Sequence, residues 1–187
     1  MIDDTEFAAI LAGARRGEEL AVAVLFADLQ PRLLRFLRSQ EPSVAEDLAS
    51  EVWLGIARGV QGFEGGWRDF RAWVFAIARR RIVDHRRRSG RRREAPMSDD
   101  GEVVDAITNG VDDAALANLS GEEAVALIRA ALSPEQAEVV LLRVLADLDS
   151  AQVADVMGRP LSWVRVTQHR ALRRLAERVG KRLGVTP

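Results

Sequence analysis

The 187-residue chain has no cysteine and only two histidines. Without thiols it can form neither disulfides nor thiolate metal sites, and two histidines leave little material for a zinc site or for histidine-based catalysis. The absence of cysteine is compatible with a reducing compartment. These shortages argue against a metalloenzyme and against a small domain stabilised by disulfides.

Long apolar runs and lysine are also scarce. No apolar run approaches the length of a bilayer-spanning helix, and the N-terminus, MIDDTEF, is acidic where a signal peptide is basic. We therefore expect a cytoplasmic protein without membrane insertion. Of the 27 basic residues only Lys181 is a lysine, so 26 are arginines. A GC-rich genome would produce this bias, and guanidinium groups also suit phosphates and guanine edges.

Helical periodicity dominates the sequence, and no stretch alternates apolar and polar residues as a strand would. We predict an all-α protein with two small helical domains, residues 1–90 and 120–187, joined by a flexible acidic linker, residues 91–119. Nine arginines lie between positions 79 and 93, and nine acids without a basic residue lie between 94 and 123. This composition is typical of a solvated tether.

Capping signals predict where the helices begin. In the first domain we predict three short helices over TEFAAILAGARR, EELAVAVLFADLQ and PRLLRFLRSQ. A fourth begins at Ser43, with Glu46 completing a capping box, and runs to about Gly62. The glycine-rich loop GFEGGWRDF then precedes a long helix over about residues 69–89. In the second domain SPEQ, residues 133–136, is a strong helix start because serine caps and proline suits the first helical position.

Residues 149–175 have the pattern of a helix-turn-helix. Gly158 stands where the turn needs a permissive backbone, and Pro160 suits the first turn of the second helix. At about 100° per residue, one side of that helix is apolar. The apolar residues are Leu161, Val164, Ala171, Leu172 and Leu175. The opposite side, which we expect to enter a DNA groove, carries Ser162, Arg165, Val166, His169, Arg170 and Arg173. A helical hairpin with a solvated basic side is the alternative.

The first domain places aromatic residues beside a basic track. The aromatic residues are Trp67, Phe70, Trp73 and Phe75. They follow the glycine loop, and their helix continues into arginines at 79–81. Exposed rings and guanidinium groups are what unstacked bases require. Helical spacing cannot expose all four rings, so we expect Phe70 and Phe75 in the core and Trp67 and Trp73 at the surface.

Two stretches resemble the extracytoplasmic-function (group 4) bacterial sigma factors. The string AEDLASEVWLGIARGVQGFEGGWRDFRAWVFAIARRRIVDHRRR resembles their region 2, and LSPEQAEVVLLRVLADLDSAQVADVMGRPLSWVRVTQHRALRRL resembles their region 4. The resemblance covers about residues 20–90 and 120–178. It implies a sigma factor that binds core RNA polymerase and directs promoter-specific initiation, with no cofactor and no catalytic activity of its own. It also implies regulation by an anti-sigma factor. In the family the linker threads through the polymerase cleft, so the acidic linker of this chain would either imitate nucleic acid on a basic channel or act only as a solvated tether.

The resemblance further assigns partners to individual helices. The helix over residues 45–59 would dock on the clamp helices of the polymerase β′ subunit, through Asp47, Leu48, Glu51 and Val52. The loop and helix over residues 62–81 would melt the minus-ten element and capture a flipped base. Their implied DNA contacts are Gly65, Gly66, Trp67, Arg68, Asp69, Trp73, Arg79 and Arg80. The helix over residues 161–174 would contact the minus-thirty-five element, and region 4 would also meet the β flap.

The sequence departs from the family pattern at several positions. Ser50 and Trp53 replace the glutamine and phenylalanine common in the polymerase-binding motif. Val166 and Thr167 stand where serine and arginine are frequent, which leaves the base preference of the second helix open.

Two other functions are possible on the residues alone. An autonomous helix-turn-helix regulator with a helical sensor domain would bind duplex DNA tightly by itself. An enzyme with a DNA-binding tail would need a phosphate-binding loop, a metal-ligand cluster or a nucleophile–base pair, and the sequence shows none of these.

Overall fold

A computed structural model describes residues 2–90 and 121–183 of the chain. Within these ranges every regular element is a helix, which confirms the predicted all-α fold. The first helical unit contains α1 (Asp4–Arg15), α2 (Glu19–Gln40), α3 (Ala45–Gly59) and α4 (Trp67–Arg88). The second contains α5 (Gly121–Ala131), α6 (Pro134–Leu145), α7 (Ser150–Met157) and α8 (Leu161–Leu183). Short 3₁₀ turns, Pro42–Val44 and Val60–Gly62, flank α3, and the predicted linker at 91–119 lies outside the described residues.

The predicted break between the second and third helices is wrong, because α2 continues through Pro31. Proline lacks the N–H group that would bond to the carbonyl four residues earlier. Leu29 and Leu33, on either side, are fully buried, while Pro31 itself is exposed. Burial of the apolar side before and after the proline therefore compensates for the missing hydrogen bond.

The predicted capping box at Ser43 is also wrong. Ser43 lies in the first 3₁₀ turn, and α3 begins two residues later without a side-chain cap. The Glu46 carboxylate instead accepts hydrogen bonds from Arg38, at 2.7 Å from Nη2 and 3.2 Å from Nε. These hydrogen bonds lower the pKa of Glu46 below its ordinary value. Glu46 therefore makes a tertiary contact with α2 instead of capping its own helix.

The second unit follows its local signals closely. The Ser133 hydroxyl accepts the N–H of Gln136, and the Gln136 side chain accepts the N–H of Ser133, so the predicted helix start is confirmed. α6 supplies much of the core, since Val139, Leu141 and Leu142 are fully buried. It packs against α5, α7 and α8 and thereby supports the helix-turn-helix.

The two units contact each other through α4 and α2. α4 packs against α7, and α2 packs against α5 and α6. Two ion pairs cross the contact: Arg71 Nη1 lies 2.8 Å from Asp147 Oδ2, and Arg79 Nε lies 3.0 Å from Glu138 Oε1. Arg71 is buried, and its Nη2 also donates to the backbone carbonyl of Asp147. α4 therefore packs within the first unit and also contacts the second.

Candidate nucleic-acid interface

The predicted helix-turn-helix is formed by residues 149–183. Asp149 caps α7 by accepting two backbone N–H groups, each at 2.9 Å. Gly158 ends α7 in the left-handed conformation, with φ of 63°, which confirms the predicted turn position. Pro160 directly precedes α8, which begins at Leu161, so the proline lies one residue before the helical turn that it was expected to open.

The predicted apolar side of α8 packs on the rest of its unit. Val164, Ala171 and Leu175 are buried, and Leu161 and Leu172 are half-buried. The facing residues of α7 are buried as well: Val153, Ala154 and Met157. The small side chain of alanine lets two helices approach closely at this contact. One side of α8 therefore belongs to the core, as predicted.

The opposite side of α8 is open. Val166 is half-buried, but the other predicted DNA-facing residues are exposed: Ser162, Arg165, His169, Arg170 and Arg173. Arg173 lies 3.3 Å from Glu177. Within the described ranges, the side chains of Arg165, His169 and Arg170 make no hydrogen bond or ion pair. Two guanidinium groups and one imidazole are thus available to an external acceptor.

Thr167 does not belong to this open side. Only 9% of its surface is exposed. The adjacent Gln168 accepts a hydrogen bond from the Ser150 hydroxyl at 3.3 Å, across the contact between α7 and α8. The position where the family often has arginine therefore points towards the interior of this unit, and its identity does not set a base contact here.

The glycine loop makes a tight turn into α4. Gly65 has φ of 141°, and a Cβ atom placed there would lie 2.8 Å from the Cβ of Asp69. The Asp69 carboxylate accepts the N–H of Gly66 at 3.0 Å and closes the first turn of the helix. The outer edge of the loop, with Glu64, Gly65, Arg68 and Asp69, is exposed. The backbone is thus held in shape while its outer edge stays open.

The expectation of a surface position is wrong for Trp67. This residue, the first of α4, is 4% exposed because its ring packs against two others, with its centroid 5.4 Å from Phe7 and 6.1 Å from Phe70. Trp73 is half-buried, with its ring 5.3 Å from Phe63 and 5.5 Å from Phe70. The two phenylalanines expected in the core are fully buried: Phe70 and Phe75. These rings form an internal cluster rather than an open stacking platform.

The arginines of α4 differ in availability. Arg68 and Arg80 are exposed and make no ion pair within the described part of the chain. Arg79, predicted as a DNA contact, is paired with Glu138 of α6. Arg71, which the sequence did not single out, is buried against an acid 76 residues further along the chain. Local sequence carries no signal for a partner so distant.

The α3 residues assigned to polymerase binding divide between surface and core. Asp47 is exposed and Glu51 is half-buried. Leu48 and Val52 are only 2% and 0% exposed, so their side chains pack inside the bundle and cannot themselves reach a partner, which corrects that part of the prediction. Leu54, 56% exposed, was missed. Its helical spacing from Asp47 and Glu51 is the signal that could have found it.

An aromatic pair lies next to this part of α3. Phe26 of α2 is 45% exposed, and its ring centroid is 5.0 Å from that of Trp53. The Trp53 indole N–H donates to the side-chain oxygen of Gln30 at 2.7 Å. The tryptophan that replaces the family's phenylalanine therefore keeps an aromatic ring at the boundary of α2 and α3.

In residues 2–90 and 121–183, no group of histidines and acids is arranged to hold a metal ion. None of the helices in these ranges has the length and hydropathy needed to cross a membrane.

Each helical unit matches a known protein family. The Sigma-70 region 2 family matches residues 25–92, and the Sigma-70, region 4 family matches residues 114–175. The first match covers α3, the glycine loop and α4, and the second covers the helix-turn-helix through Leu175. A two-region RNA polymerase sigma factor is the class of protein that these matches define.

Curated relatives narrow the class. The chain is 33% identical over 178 residues to the ECF RNA polymerase sigma factor BldN of Streptomyces coelicolor, covering 93% of this chain and 66% of BldN. It is 31% identical over 185 residues to the ECF RNA polymerase sigma factor ShbA of Streptomyces griseus, covering 94% of this chain and 97% of ShbA. The chain belongs to the ECF RNA polymerase sigma factors.

A solved structure shares the fold. The sigma factor RpoE of Bartonella quintana, crystallised with the anti-sigma factor NepR, has a TM-score of 0.61 and 22% identity, covering 83% of this chain and 94% of that one.

Family membership confirms the function predicted from the two sequence motifs. A sigma factor is a specificity factor for transcription initiation and not an enzyme. Its partners are RNA polymerase and promoter DNA, so the sigma-factor interpretation prevails over an autonomous regulator and over an enzyme with a DNA-binding tail.

Proposed function

We propose that this chain binds core RNA polymerase through α3 and promoter DNA through two separate surfaces. The upstream surface is the exposed side of α8, and the downstream surface is the glycine loop with the exposed arginines of α4. The observation that carries the proposal is the unpaired set Arg165, His169 and Arg170 on one side of the second helix of a helix-turn-helix. In such motifs the second helix lies in the major groove with its polar side against base edges.

On the upstream surface, α8 contacts the minus-thirty-five element. Arg165 and Arg170 have the fork of donors that suits guanine or phosphate, and His169 lies between them in sequence. The full set of contacts comprises Ser162, Arg165, Val166, His169, Arg170 and Arg173. Half-buried Val166 offers an apolar surface, which suits a thymine methyl group better than a polar base edge.

On the downstream surface, the glycine loop captures an unpaired base of the minus-ten element. Gly65, Gly66, Arg68, Asp69 and Arg80 form the accessible part of this surface. Extruding a base costs a few kcal/mol, and a loop already held in shape helps to offset that cost. The buried Trp67 supports the loop from beneath rather than stacking on DNA. Trp73 presents only part of its ring, and Arg79 contacts DNA only after leaving Glu138.

The polymerase-binding surface lies on α3. Asp47, Glu51 and Leu54 share one side of this helix and combine two carboxylates with an exposed apolar side chain. Leu48 and Val52 contribute by anchoring α3 in the bundle. Region 4 would in turn meet the β flap of the polymerase.

Regulation and location complete the proposal. Bartonella RpoE, whose structure shares the fold of this chain, was crystallised with an anti-sigma factor. We include an anti-sigma factor among the partners of this chain, and a cytoplasmic location, where polymerase and chromosome are found. Adding a candidate inhibitor to a transcription reaction tests the first point: transcript yield must fall in proportion to the bound fraction of this chain.

The main experiment is reconstitution with bacterial core polymerase and a run-off assay over a library of candidate promoters. We expect the chain to bind core tightly, to bind isolated duplex DNA poorly, and to give transcripts from a defined promoter class. Tight, dimeric binding to duplex DNA without affinity for core would instead identify an autonomous regulator.

The variant Arg165→Ala tests the upstream surface. If Arg165 contacts a base edge, the variant should weaken recognition of the upstream element by about 1 to 3 kcal/mol and relax specificity at one position. Arg178→Ala is the matched control, because Arg178 is exposed on the same helix but outside the proposed surface. A uniform loss over all sequences would make Arg165 a phosphate contact.

A further inference from the structure

α1 contacts the glycine loop although it lies outside the matched family region, which begins at residue 25. Asp4 Oδ1 accepts the backbone N–H of Trp67 at 2.9 Å. At the other end of the helix, Arg15 Nε donates to the carbonyl of Val60 at 3.2 Å, and Arg15 Nη2 donates to the carbonyl of Phe63. α1 therefore holds the loop both where it leaves α3 and where it enters α4.

The loop and α1 are fitted to each other. A Cβ atom on Gly66 would lie 2.8 Å from Asp4 Oδ1 and 3.2 Å from Asp4 Cγ, so a larger residue there would require the Asp4 carboxylate to move. In return, the side chain of Gln61 donates to the carbonyl of Arg15 at 2.6 Å. The φ of Gly66, −86°, is open to any residue, so the turn itself does not require glycine at this position. The space that glycine leaves is occupied by the Asp4 carboxylate.

Phe7 supplies the apolar part of the same contact. It is 1% exposed, and its ring centroid lies 6.4 Å from Phe63, 5.4 Å from Trp67 and 5.3 Å from Phe70. The inner side of the loop is thus fixed by α1 through two hydrogen bonds that Arg15 donates, one that Asp4 accepts, and a ring cluster. The outer edge at residues 64–65 stays exposed.

We infer that Asp4 and Arg15 are positioning residues for recognition of the minus-ten element, acting through the loop and touching no base. The inference rests on the proposed function of the glycine loop. A glycine-rich segment loses much conformational freedom when it closes on a ligand, and contacts that order it beforehand reduce that cost. Asp4 and Arg15 therefore set base discrimination at the loop, and they leave polymerase affinity and upstream binding unchanged.

The experiment uses the full chain bound to core polymerase. The variants are Asp4→Ala and Arg15→Ala, with Glu6→Ala and Arg16→Ala as matched controls, because Glu6 and Arg16 carry the same charges but do not contact the loop. Each holoenzyme binds a single-stranded oligonucleotide with the minus-ten sequence found in the run-off assay, and the same oligonucleotide with one base changed. Affinity for core and for the upstream duplex is measured alongside.

We expect the ratio of matched to mismatched affinity to fall about five-fold in each test variant, the size of a lost helix cap, and to stay unchanged in both controls. Asp4→Asn, which keeps an acceptor oxygen, should recover most of the ratio. Amide hydrogen exchange at residues 65–67 of the DNA-free chain should accelerate about five-fold in Asp4→Ala, while exchange in α3 stays the same.

Three results would overturn the inference. Unchanged exchange at residues 65–67, or wild-type discrimination in both test variants, would show that α1 does not position the loop and would leave the proposed function intact. Parallel losses in core affinity, upstream binding and discrimination would reduce α1 to a general stabilising element. A wild-type holoenzyme that does not distinguish the two oligonucleotides would remove the proposed function of the loop, and this inference with it.

Discussion

The two helical units differ in how they use their arginines. On α4 of the first unit, most of the arginine side chains are paired with acids that lie outside this helix. These residues are Arg71, Arg79, Arg81, Arg86 and Arg88. On α8 of the second unit, Arg165 and Arg170 are exposed without a partner in the described residues. Among the described residues, α4 therefore keeps a smaller share of its arginines free of ion pairs than α8 does, although its segment of the sequence is richer in arginine.

The difference shows that basic residues in a sequence are not equivalent to a basic surface. Arg86 Nε lies 2.6 Å from Glu41 Oε1, and Glu41 is itself buried, so this arginine serves the fold. A buried carboxylate needs such a partner because leaving it unpaired in a low-dielectric site is costly. On α8 the acid of the same helix, Glu177, pairs with Arg173, towards one end of the DNA-facing side.

The largest expected effect comes from Trp67→Ala. A tryptophan held at the surface to stack on bases would cost little stability when removed. Because Trp67 is buried against Phe7 and Phe70, its replacement by alanine should lower the free energy of unfolding by about 3 to 5 kcal/mol. Urea denaturation of the full chain measures this loss.

The adjacent variant Arg68→Ala is the control, because Arg68 is exposed and should change stability by no more than about 0.5 kcal/mol. A loss below about 1 kcal/mol for Trp67→Ala would restore the stacking platform that the sequence suggested.

An intermediate effect is expected for the ion pair between Arg79 and Glu138. Their side chains are 29% and 14% exposed, and a double-mutant cycle with alanine should give a coupling energy of about 0.5 to 3 kcal/mol. The pair Arg173 and Glu177 on α8 is 77% and 60% exposed, and its coupling should be only about 0.3 to 0.5 kcal/mol. Coupling energies come from urea unfolding of the single and double variants.

Equal couplings for the two pairs would contradict the comparison, since they would show that Arg79 is as solvated as the arginines of α8.

Because the chain has no cysteine, introduced cysteines on α4 and α7 can also carry a pair of fluorescent labels. Their separation should increase when Glu138 is replaced by alanine.

The two units also differ in how much of their structure could be predicted from the sequence. In the second unit the deciding signals are local: the cap at Ser133, the glycine at 158 and the apolar side of α8 each act within a few residues. All three were predicted and confirmed. Local hydrogen bonds and helical periodicity are enough to predict an element whose deciding contacts come from residues nearby in the sequence.

In the first unit the wrong predictions involve distant partners. α2 continues through Pro31 because of burial in the bundle, and Glu46 bonds to Arg38 of another helix instead of capping its own. Trp67 is covered by α1, which meets it across 60 residues of sequence. Leu48 and Val52 were assigned to a surface by motif alone, although the motif's periodicity places them inward. Tertiary contacts of this kind override local preferences.

The smallest expected effect is a pH dependence at Glu138. Burial raises the pKa of the Glu138 carboxyl above its ordinary value of 4.5, although Arg79 and Arg86 act in the opposite direction. A carboxyl whose pKa is higher in the folded state binds more protons there than in the unfolded state. Stability is then lost as pH rises from the unfolded value through the folded value.

In Glu138→Gln this loss is absent, because the amide does not titrate. The difference in free energy of unfolding between the glutamine variant and the wild type should therefore shift in favour of the variant as pH rises above 4.5, and level off once the carboxyl is fully charged. Urea denaturation at a series of pH values measures it, and Glu177→Gln, at an exposed position, controls for the loss of one negative charge. A shift in favour of the wild type would mean that attraction to Arg79 outweighs burial and lowers the pKa of Glu138. The ion pair between α4 and the second unit would then be stronger than its burial suggests.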